Sequence, residues 1–310
     1  MTNVLFAGTE ENWETYKTLI PEALKARGVS ATFGRDIAPE MVDYIVYSPL
    51  GPVQDFTPFT RLKAVLSLWA GVERVVGNNT LKAPLCRMVD SGLKKGMAEW
   101  VAGHCLRYHL GMDAHITNPA HEWRSGMAPP LAEDRSIGIL GLGELGQASA
   151  EALNCLGFNV NGWSRSLKSI EGIACFSGSE GLSALLAHSE ILVLLLPQTA
   201  DTTHILNAQT LAKMPKGASI LNPGRGPLID DEALLASLNA RHIAHATLDV
   251  FAKEPLPQDH PYWAHPSVTV TPHIASETRP KSAAEVVAEN VRRGESAEPF
   301  LFEVDQGQGY

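Results

Sequence analysis

The stretch "SIGILGLGELG", residues 136–146, decides the fold because it joins a short apolar run to the glycine pattern G-x-G-x-x-G. The residues after it, "ELGQASAEALNCLG" (144–157), are typical of a helix. In such a strand–turn–helix unit the first glycine permits a tight turn, the second lets the backbone approach a pyrophosphate, and the third packs helix against strand. N–H groups at the helix N-terminus can then bind phosphate. Unless the turn is purely structural, it predicts a dinucleotide site built from Gly141, Gly143, Glu144, Leu145 and Gly146.

The segments that follow alternate between apolar runs and helical patterns. "EILVLLLP" (190–197) is a long apolar run, and "GASILNP" (217–223) and "AHATLDVF" (244–251) are shorter predicted strands rich in apolar residues. Strands that are mainly apolar, without alternation, indicate a parallel sheet covered by helices on both faces. "ADTTHILNAQTLAKMP" (200–215) is a predicted helix between two of them. Repeated β–α–β order predicts an α/β fold with a doubly wound parallel sheet, the Rossmann architecture, over residues 98–276.

The first hundred residues repeat this theme less regularly, beginning with the apolar run "NVLFAG" (3–8). The tail "KSAAEVVAENVRRGE" (281–295) is a predicted helix that returns to the same region. A second, smaller and discontinuous flavodoxin-like α/β domain is therefore expected over residues 1–97 plus 277–310. "GMAEWVAGHCLRYHLGMDAH" (96–115) is predicted to be one long helix that leads into the dinucleotide unit.

Composition and charge exclude several classes of function. The formal net charge of −9 argues against a nucleic-acid surface, which needs clustered Lys and Arg. No run reaches the roughly 18 apolar residues of a membrane span, and the N-terminal residues do not resemble a signal peptide. The 4 cysteines form no CxxC pair and suit a reducing cytoplasm. No histidine pair has the HExxH spacing, so no metal site is expected.

The end of the second predicted strand, "FNVNGWSRSLKS" (158–169), departs from the pattern of an NAD site. About 20 residues after the glycine turn an acidic side chain normally binds the adenosine ribose. Here the corresponding residues are Ser164, Arg165, Ser166 and Lys168. Small donors and positive charge suit a 2′-phosphate, which arginine can bind through two parallel hydrogen bonds. The loop predicts a preference for NADP(H) over NAD, although a solvated basic loop is the alternative.

Three further segments carry polar side chains just after predicted strands. In an open α/β sheet, ligands bind at the carboxyl ends of the strands. The segments are "LNPGRGPLID" (221–230) with Arg225, "LDVFAKEPLP" (248–257) with Glu254 and "VTVTPHIAS" (268–276) with His273. Taken singly, each has a simpler explanation: a helix cap, a solvated carboxylate, or one structural histidine among 11. Their joint occurrence after the glycine turn favours a catalytic set.

Together these segments resemble the D-2-hydroxyacid dehydrogenase family, and within it the bacterial glyoxylate/hydroxypyruvate reductases of the A type. The resemblance runs from "LWAGVERV" (68–75) through "WSRS" (163–166), "DVFAKEPLP" and "TPHIAS" to the terminal "VDQGQGY" (304–310). It implies NADPH-dependent reduction of a small 2-oxo acid such as glyoxylate or hydroxypyruvate.

The implied chemistry agrees with the residue types. Hydride attack on the carbonyl carbon places negative charge on the carbonyl oxygen, so a proton donor and a fixed cation must stand beside it. His273 suits the donor because imidazole exchanges protons near neutral pH. Glu254 would orient that imidazole and favour its protonated form, and Arg225 would hold the substrate and stabilise the oxyanion.

The resemblance also implies further positions. Backbone N–H groups of Ala70 and Gly71 would bind the substrate carboxylate, and Trp69 would narrow the pocket unless it packs in the core. Cofactor contacts, mostly at the nicotinamide half, are implied for Pro197, Thr203, Pro223, Gly224, Asp249, His273 and Ser276. Trp123 would reach toward a neighbouring subunit, and relatives of this kind form homodimers through their cofactor domains.

Two alternatives remain open. One is an NAD-linked dehydrogenase of a larger D-2-hydroxy acid, which the Ser164–Ser166 segment disfavours. The other is a nicotinamide-sensing interaction protein, a role that this fold also serves. The set of Arg225, Glu254 and His273 disfavours a role limited to binding, and NADPH consumption with glyoxylate would separate the two.

Overall fold

A computed structural model describes residues 1–116, 118, 120–123, 125–126, 128–305 and 307. Its strands are β1 (Thr2–Ala7), β2 (Ala31–Gly34), β3 (Tyr44–Tyr47), β4 (Ala64–Ser67), β5 (Leu85–Cys86), β6 (Ser136–Leu140), β7 (Asn159–Trp163), β8 (Ala174–Phe176), β9 (Ile191–Leu194), β10 (Ala218–Asn222), β11 (Ile243–Leu248) and β12 (Val268–Val270). Its α-helices are α1 (Glu10–Tyr16), α2 (Leu19–Ala26), α3 (Ser91–His109), α4 (Asp113–Ile116), α5 (Glu144–Cys155), α6 (Gly178–His188), α7 (Ala208–Leu211), α8 (Asp231–Asn239) and α9 (Pro280–Glu295).

The chain divides into two compact units. The first unit comprises Met1–Leu93 with Thr278–Tyr310, and the second comprises Lys94–Glu277. The first division falls between Leu93 and Lys94. The boundary predicted from the sequence lies a few residues later, after residue 97. Most of the terminal "VDQGQGY" used for the family resemblance lies outside the described residues.

The second unit is built on a 7-stranded sheet with the order β12-β11-β10-β9-β6-β7-β8. Its described strand pairs are parallel. After β6 the chain builds β7 and β8 on one side, and then crosses to β9 on the other side of β6. This reversal creates a crevice at the carboxyl ends of β6 and β9, where doubly wound folds bind ligands. The predicted Rossmann architecture is confirmed.

Two apolar layers cover the faces of this sheet, which explains the runs of apolar residues in its strands. Along β9, Leu192 and Leu194 belong to the cluster on one face, whereas Ile191 and Val193 belong to the cluster on the other. Successive side chains of a strand point to opposite faces. Because β9 is covered on both faces, it is apolar at every position.

The first unit contains a 5-stranded sheet with the order β2-β1-β3-β4-β5, and its strand pairs are parallel. This is the strand order of the flavodoxin-like fold, as predicted. Helix α9 supplies Ala284, Val287 and Val291 to the apolar cluster that contains Val4 and Leu66. The C-terminal helix therefore completes the core of the N-terminal segment. Among the described residues, no helix has both the length and the apolarity that crossing a membrane requires.

Two helix predictions are wrong in extent. The long helix predicted over 96–115 is α3, which begins earlier, at Ser91, and ends at His109. Gly111 then takes a φ of +62°, a conformation that commonly follows the end of a helix, and the short α4 comes next.

The helix predicted over 200–215 is mostly a loop that contains only the short α7. The Thr203 hydroxyl donates to the Thr199 carbonyl oxygen at 2.8 Å. The Asn207 side chain accepts hydrogen bonds from the backbone N–H groups of Gln209 and Thr210. The Thr203 bond competes with helix formation, whereas the Asn207 bonds cap the start of α7 and so fix where this short helix begins.

Candidate active site

The glycine turn between β6 and α5 has a shape that only glycine permits. Gly141 has a φ of +105°, and a Cβ atom there would lie 2.5 Å from the Leu195 carbonyl oxygen. A Cβ atom on Gly146 would lie 1.8 Å from the Gly141 carbonyl oxygen. At Gly143, by contrast, an added Cβ would meet no described heavy atom within 4 Å. Open space therefore adjoins Gly143, the residue just before α5, and a pyrophosphate there would meet the free N–H groups that begin a helix.

The loop after β7 is held by two hydrogen bonds of Ser164. The Ser164 N–H donates to the Phe176 carbonyl oxygen at 3.1 Å, and the Ser164 hydroxyl donates to the Ser166 carbonyl oxygen at 2.8 Å. Ser164 is buried, whereas Arg165 and Ser166 are exposed and Lys168 is half-buried. Ser164 thus shapes the loop, and the exposed Arg165 and Ser166 are the residues that an adenosine phosphate could reach.

The loop that carries Arg225 follows β10 and is fixed by Asn222. The Asn222 side chain accepts from the Gly224 N–H at 3.1 Å and donates to the Arg225 carbonyl oxygen at 2.9 Å. The Arg225 guanidinium donates to the Gly224 carbonyl oxygen at 2.7 Å. A Cβ atom on Gly226 would lie 2.0 Å from the Phe251 carbonyl carbon. The Arg225 loop therefore lies against the segment that begins at Phe251.

That segment brings Glu254 to His273. Glu254 Oε1 accepts from the Phe251 N–H at 2.9 Å, and Glu254 Oε2 lies 2.8 Å from His273 Nδ1. The His273 side chain is 54% exposed. Since Nδ1 donates its proton to the carboxylate, Nε2 is the ring nitrogen that can give a proton to another molecule. Glu254 and His273, both predicted from the sequence, are in direct contact.

The backbone at His273 is held in the left-handed region by Asp249. His273 has a φ of +56°, which costs on the order of 1 kcal/mol or more for a residue with a side chain. Asp249, which is 1% exposed, accepts at its backbone oxygen from the His273 N–H at 2.8 Å. Its carboxylate accepts from Thr271 Oγ1 at 2.6 Å and from the N–H groups of Ile274 and Ala275, each at 2.9 Å.

Asp249 thus positions the His273 loop. The family resemblance implied a contact between Asp249 and the cofactor, and the carboxylate bonds to the His273 loop add a role that sequence did not indicate. The only sequence signal was an acid at the end of a buried strand, because the bonds join residues that are more than 20 positions apart.

The other predicted cofactor positions lie in loops of the second unit: Pro197, Thr203, Pro223, Gly224 and Ser276. The Thr203 side chain bonds its own loop through the Thr199 carbonyl oxygen. Ser276 packs on α3, where its Oγ lies 2.8 Å from the position of a Cβ atom on Gly96. The structure places Pro197, Pro223 and Gly224 just after the ends of β9 and β10, and the contacts of all five residues with a cofactor stay predictions.

The predicted carboxylate loop, Trp69–Gly71, belongs to the first unit and follows β4. The Ser67 hydroxyl accepts from the Trp69 N–H at 3.0 Å. The half-buried Trp69 ring packs against the apolar core of that unit, and the Arg74 guanidinium carbon lies 5.9 Å from its centroid. Trp69 therefore packs against the core of that unit, and the roles of Trp69, Ala70 and Gly71 in substrate binding stay predictions.

Trp123 is 96% exposed, and the adjacent Arg124 lies outside the described residues. The prediction that Trp123 reaches a neighbouring subunit is therefore left as a prediction.

Burial distinguishes His273 from two other histidines of the second unit. His245 Nε2 lies 2.9 Å from Thr269 Oγ1, and burial lowers the pKa of His245 to about 4. Burial also lowers the pKa of His104, whose Nδ1 is buried with no hydrogen-bond partner among the described atoms. Because both rings favour the neutral form, neither suits a proton donor at neutral pH.

Comparison with known proteins agrees with this geometry. The family model described as D-isomer specific 2-hydroxyacid dehydrogenase, NAD binding domain, matches residues 104–275. Over 317 residues the chain is 38% identical to Glyoxylate/hydroxypyruvate reductase A of Serratia proteamaculans (strain 568), covering 99% of this chain and 100% of that protein.

Two solved structures are similar over their full length. A D-isomer specific 2-hydroxyacid dehydrogenase from Xanthobacter autotrophicus Py2, in complex with NADPH and MES, has a TM-score of 0.91 and 37% identity and covers 100% of this chain and 99% of its own. An NADPH-dependent glyoxylate/hydroxypyruvate reductase from Sinorhizobium meliloti, in complex with NADP and sulfate, has a TM-score of 0.83 and 33% identity and covers 100% of both chains.

Proposed function

The chain belongs to the D-isomer specific 2-hydroxyacid dehydrogenase family, and on that premise we propose that it reduces small 2-oxo acids with NADPH. The substrates are glyoxylate, which yields glycolate, and hydroxypyruvate, which yields D-glycerate. The observation that carries this proposal is the 2.8 Å contact between Glu254 and His273, with the Arg225 loop packed against the segment that holds Glu254. A role limited to binding or sensing needs no such set.

The residues of the second unit fit NADPH. Gly141, Gly143 and Gly146 form the turn that would accommodate the pyrophosphate, and the first N–H groups of α5 would bind it. The exposed Arg165 would bind the 2′-phosphate with help from Lys168. NADPH and NADP are present in the similar solved structures, which supports the preference over NAD. When bound, NADPH supplies the hydride that reduces the carbonyl carbon.

The side chains of the chain supply the proton and the positive charge. As the carbonyl carbon gains a hydrogen, its oxygen becomes an alkoxide and takes the proton from His273 Nε2, which gives the alcohol. Glu254 keeps the ring oriented and balances its charge. The Arg225 guanidinium stabilises the developing negative charge on the oxygen and binds the substrate carboxylate.

A spectrophotometric assay tests this function. Oxidation of NADPH and NADH is followed with glyoxylate, hydroxypyruvate and larger 2-oxo acids, using the wild type and the variants H273A and R225A. Each variant should lose about a hundredfold or more in kcat/KM. The exposed His188 on α6 provides a matched control, H188A, which should keep full activity. Near-normal turnover in folded H273A, or no NADPH oxidation with any 2-oxo acid, would contradict the proposal.

We further propose a homodimer, formed through the second unit, that works in the cytoplasm. Large apolar side chains are exposed just after α3: Leu110, Met112 and Ile116. Exposed apolar surface of this kind favours association with a second copy. The four cysteines are free, which suits a reducing compartment. Light scattering at micromolar concentration should give the mass of a dimer, and a monomer would contradict this part.

A further inference from the structure

A carboxylate stands at the start of the helix that is proposed to bind the pyrophosphate. Glu144 is the first residue of α5 and follows Gly143, which adjoins open space. A negative side chain in the first turn favours the helix itself. The same charge repels the pyrophosphate, because both compete for the positive end of one helix.

Lys94 of the same unit lies directly against this carboxylate. Its Nζ is in hydrogen-bond contact with Glu144 Oε2, although the two residues lie 50 positions apart in sequence. Both side chains are partly exposed, at 32% for Lys94 and 42% for Glu144. The ammonium thus lies beside the first residue of α5, one position after Gly143 of the glycine turn, and is within reach of solvent.

Lys94 lies in the first turn of α3, which begins at Ser91. The Asp90 carboxylate precedes that turn and caps the helix by accepting from the Gly92 and Leu93 N–H groups. A helix dipole opposes a cation in the first turn, so α3 gains little from this lysine. The ion pair with Glu144 of α5 is a contact that makes use of the Lys94 charge.

We propose that Lys94 is a cofactor-positioning residue that cancels the charge of Glu144 at the pyrophosphate site. The inference rests on the proposed use of a dinucleotide by this chain. With Lys94 in place, the α5 N-terminus presents its N–H groups beside a neutral ion pair, and the cofactor phosphates approach without a net negative charge in their path. Without it, Glu144 is an uncompensated anion beside a dianionic group.

A purely structural role makes different predictions. If the pair only ties α3 to α5, then K94Q and E144Q should lower the melting temperature by similar amounts and leave nucleotide binding unchanged. If Lys94 cancels the charge of Glu144, the two substitutions should act on binding with opposite signs, and the second should rescue the first.

Equilibrium binding of NADPH, followed by quenching of protein fluorescence, tests the proposal independently of turnover. The variant K94Q should raise the Kd by about tenfold, from the repulsion left by one unpaired charge several ångströms from the phosphates. E144Q should bind at least as tightly as the wild type, and K94Q/E144Q should return to within about threefold of it. K94R, which keeps the charge, should also bind nearly normally. The adjacent, exposed Lys95 gives the control K95Q, which makes the same charge change outside the pair and should leave the Kd unchanged.

An unchanged Kd in K94Q, or a double variant as weak as K94Q, would overturn the role of Lys94 while leaving the proposed reductase function intact. A wild-type protein that bound neither NADPH nor NADH would overturn both the proposed function and this inference.

Discussion

Replacing Glu254 by Gln should slow the reaction without unfolding the site. The amide keeps an oxygen for the Phe251 N–H, which now bonds Glu254 Oε1 at 2.9 Å, so the loop keeps its shape. The substitution removes the negative charge that lies 2.8 Å from His273 Nδ1. His273 then loses both its orienting acceptor and the charge that balances the protonated ring.

The contact is partly solvated, which sets the size of the effect. The His273 side chain is 54% exposed, and the Glu254 side chain is 35% exposed. Two unit charges about 4 Å apart interact by about 1 kcal/mol in water and about 4 kcal/mol near a protein surface. A value in the lower half of that range, about 2 kcal/mol, corresponds to a loss of roughly thirtyfold in kcat.

The assay is the steady-state reduction of glyoxylate with saturating NADPH. E254Q should lower kcat and leave KM for glyoxylate within about threefold, because the lost interaction matters most in the transition state. Glu232 in the first turn of α8 is exposed, so E232Q makes the same chemical change away from the site and should be silent. An E254Q enzyme with more than half the wild-type kcat would refute the orienting role of Glu254.

Three further predictions follow from the same structure. R165A should raise KM for NADPH by about tenfold and hardly change KM for NADH, since a charge-assisted phosphate contact is lost; equal effects on both cofactors would contradict the assignment. Burial lowers the pKa of His245 from 6.5 to about 4 in the folded chain. Folding therefore favours the neutral ring, and the free energy of unfolding decreases as the pH falls below 6.5, the pKa of the unfolded chain. About 2 kcal/mol of unfolding free energy should be lost by about pH 5. Urea denaturation should show a correspondingly smaller loss for H245Q. An identical loss in H245Q and the wild type would show that His245 does not cause the pH dependence. G226A would place a Cβ atom 2.0 Å from the Phe251 carbonyl carbon. It should therefore destabilise the protein by about 1–3 kcal/mol and reduce kcat. A variant with unchanged Tm and kcat would show that the close approach is not required.

The sequence predicts the sheet of the second unit well because both faces of its central strands are covered. The strands β9 and β10 are buried at every position, and such runs are recognisable without an alignment. The edge strands β2 and β8 are partly exposed and show no apolar run, so the sequence does not predict them. The loop at 200–215 resembled a helix because periodicity does not register the hydrogen bonds that threonine side chains make to backbone.

The candidate site divides in the same way. Arg225, Glu254 and His273 carry recognisable chemistry at strand ends, and the structure joins Glu254 to His273 by a direct contact. The supporting contacts of Asp249 and Lys94 depend on which distant segments the fold brings together. A charged residue at the end of a strand or in the first turn of a helix has no periodic signal that identifies its partner.

The bonds that Asp249 makes to residues 271–275 have a consequence for how this enzyme could change. One buried carboxylate fixes the backbone on either side of the His273 imidazole, so the position of this ring does not depend on a bound ligand. Laboratory evolution toward bulkier substrates should therefore find few tolerated changes in this segment. Accepted substitutions should accumulate in other loops, and deep mutational scanning would display the contrast directly.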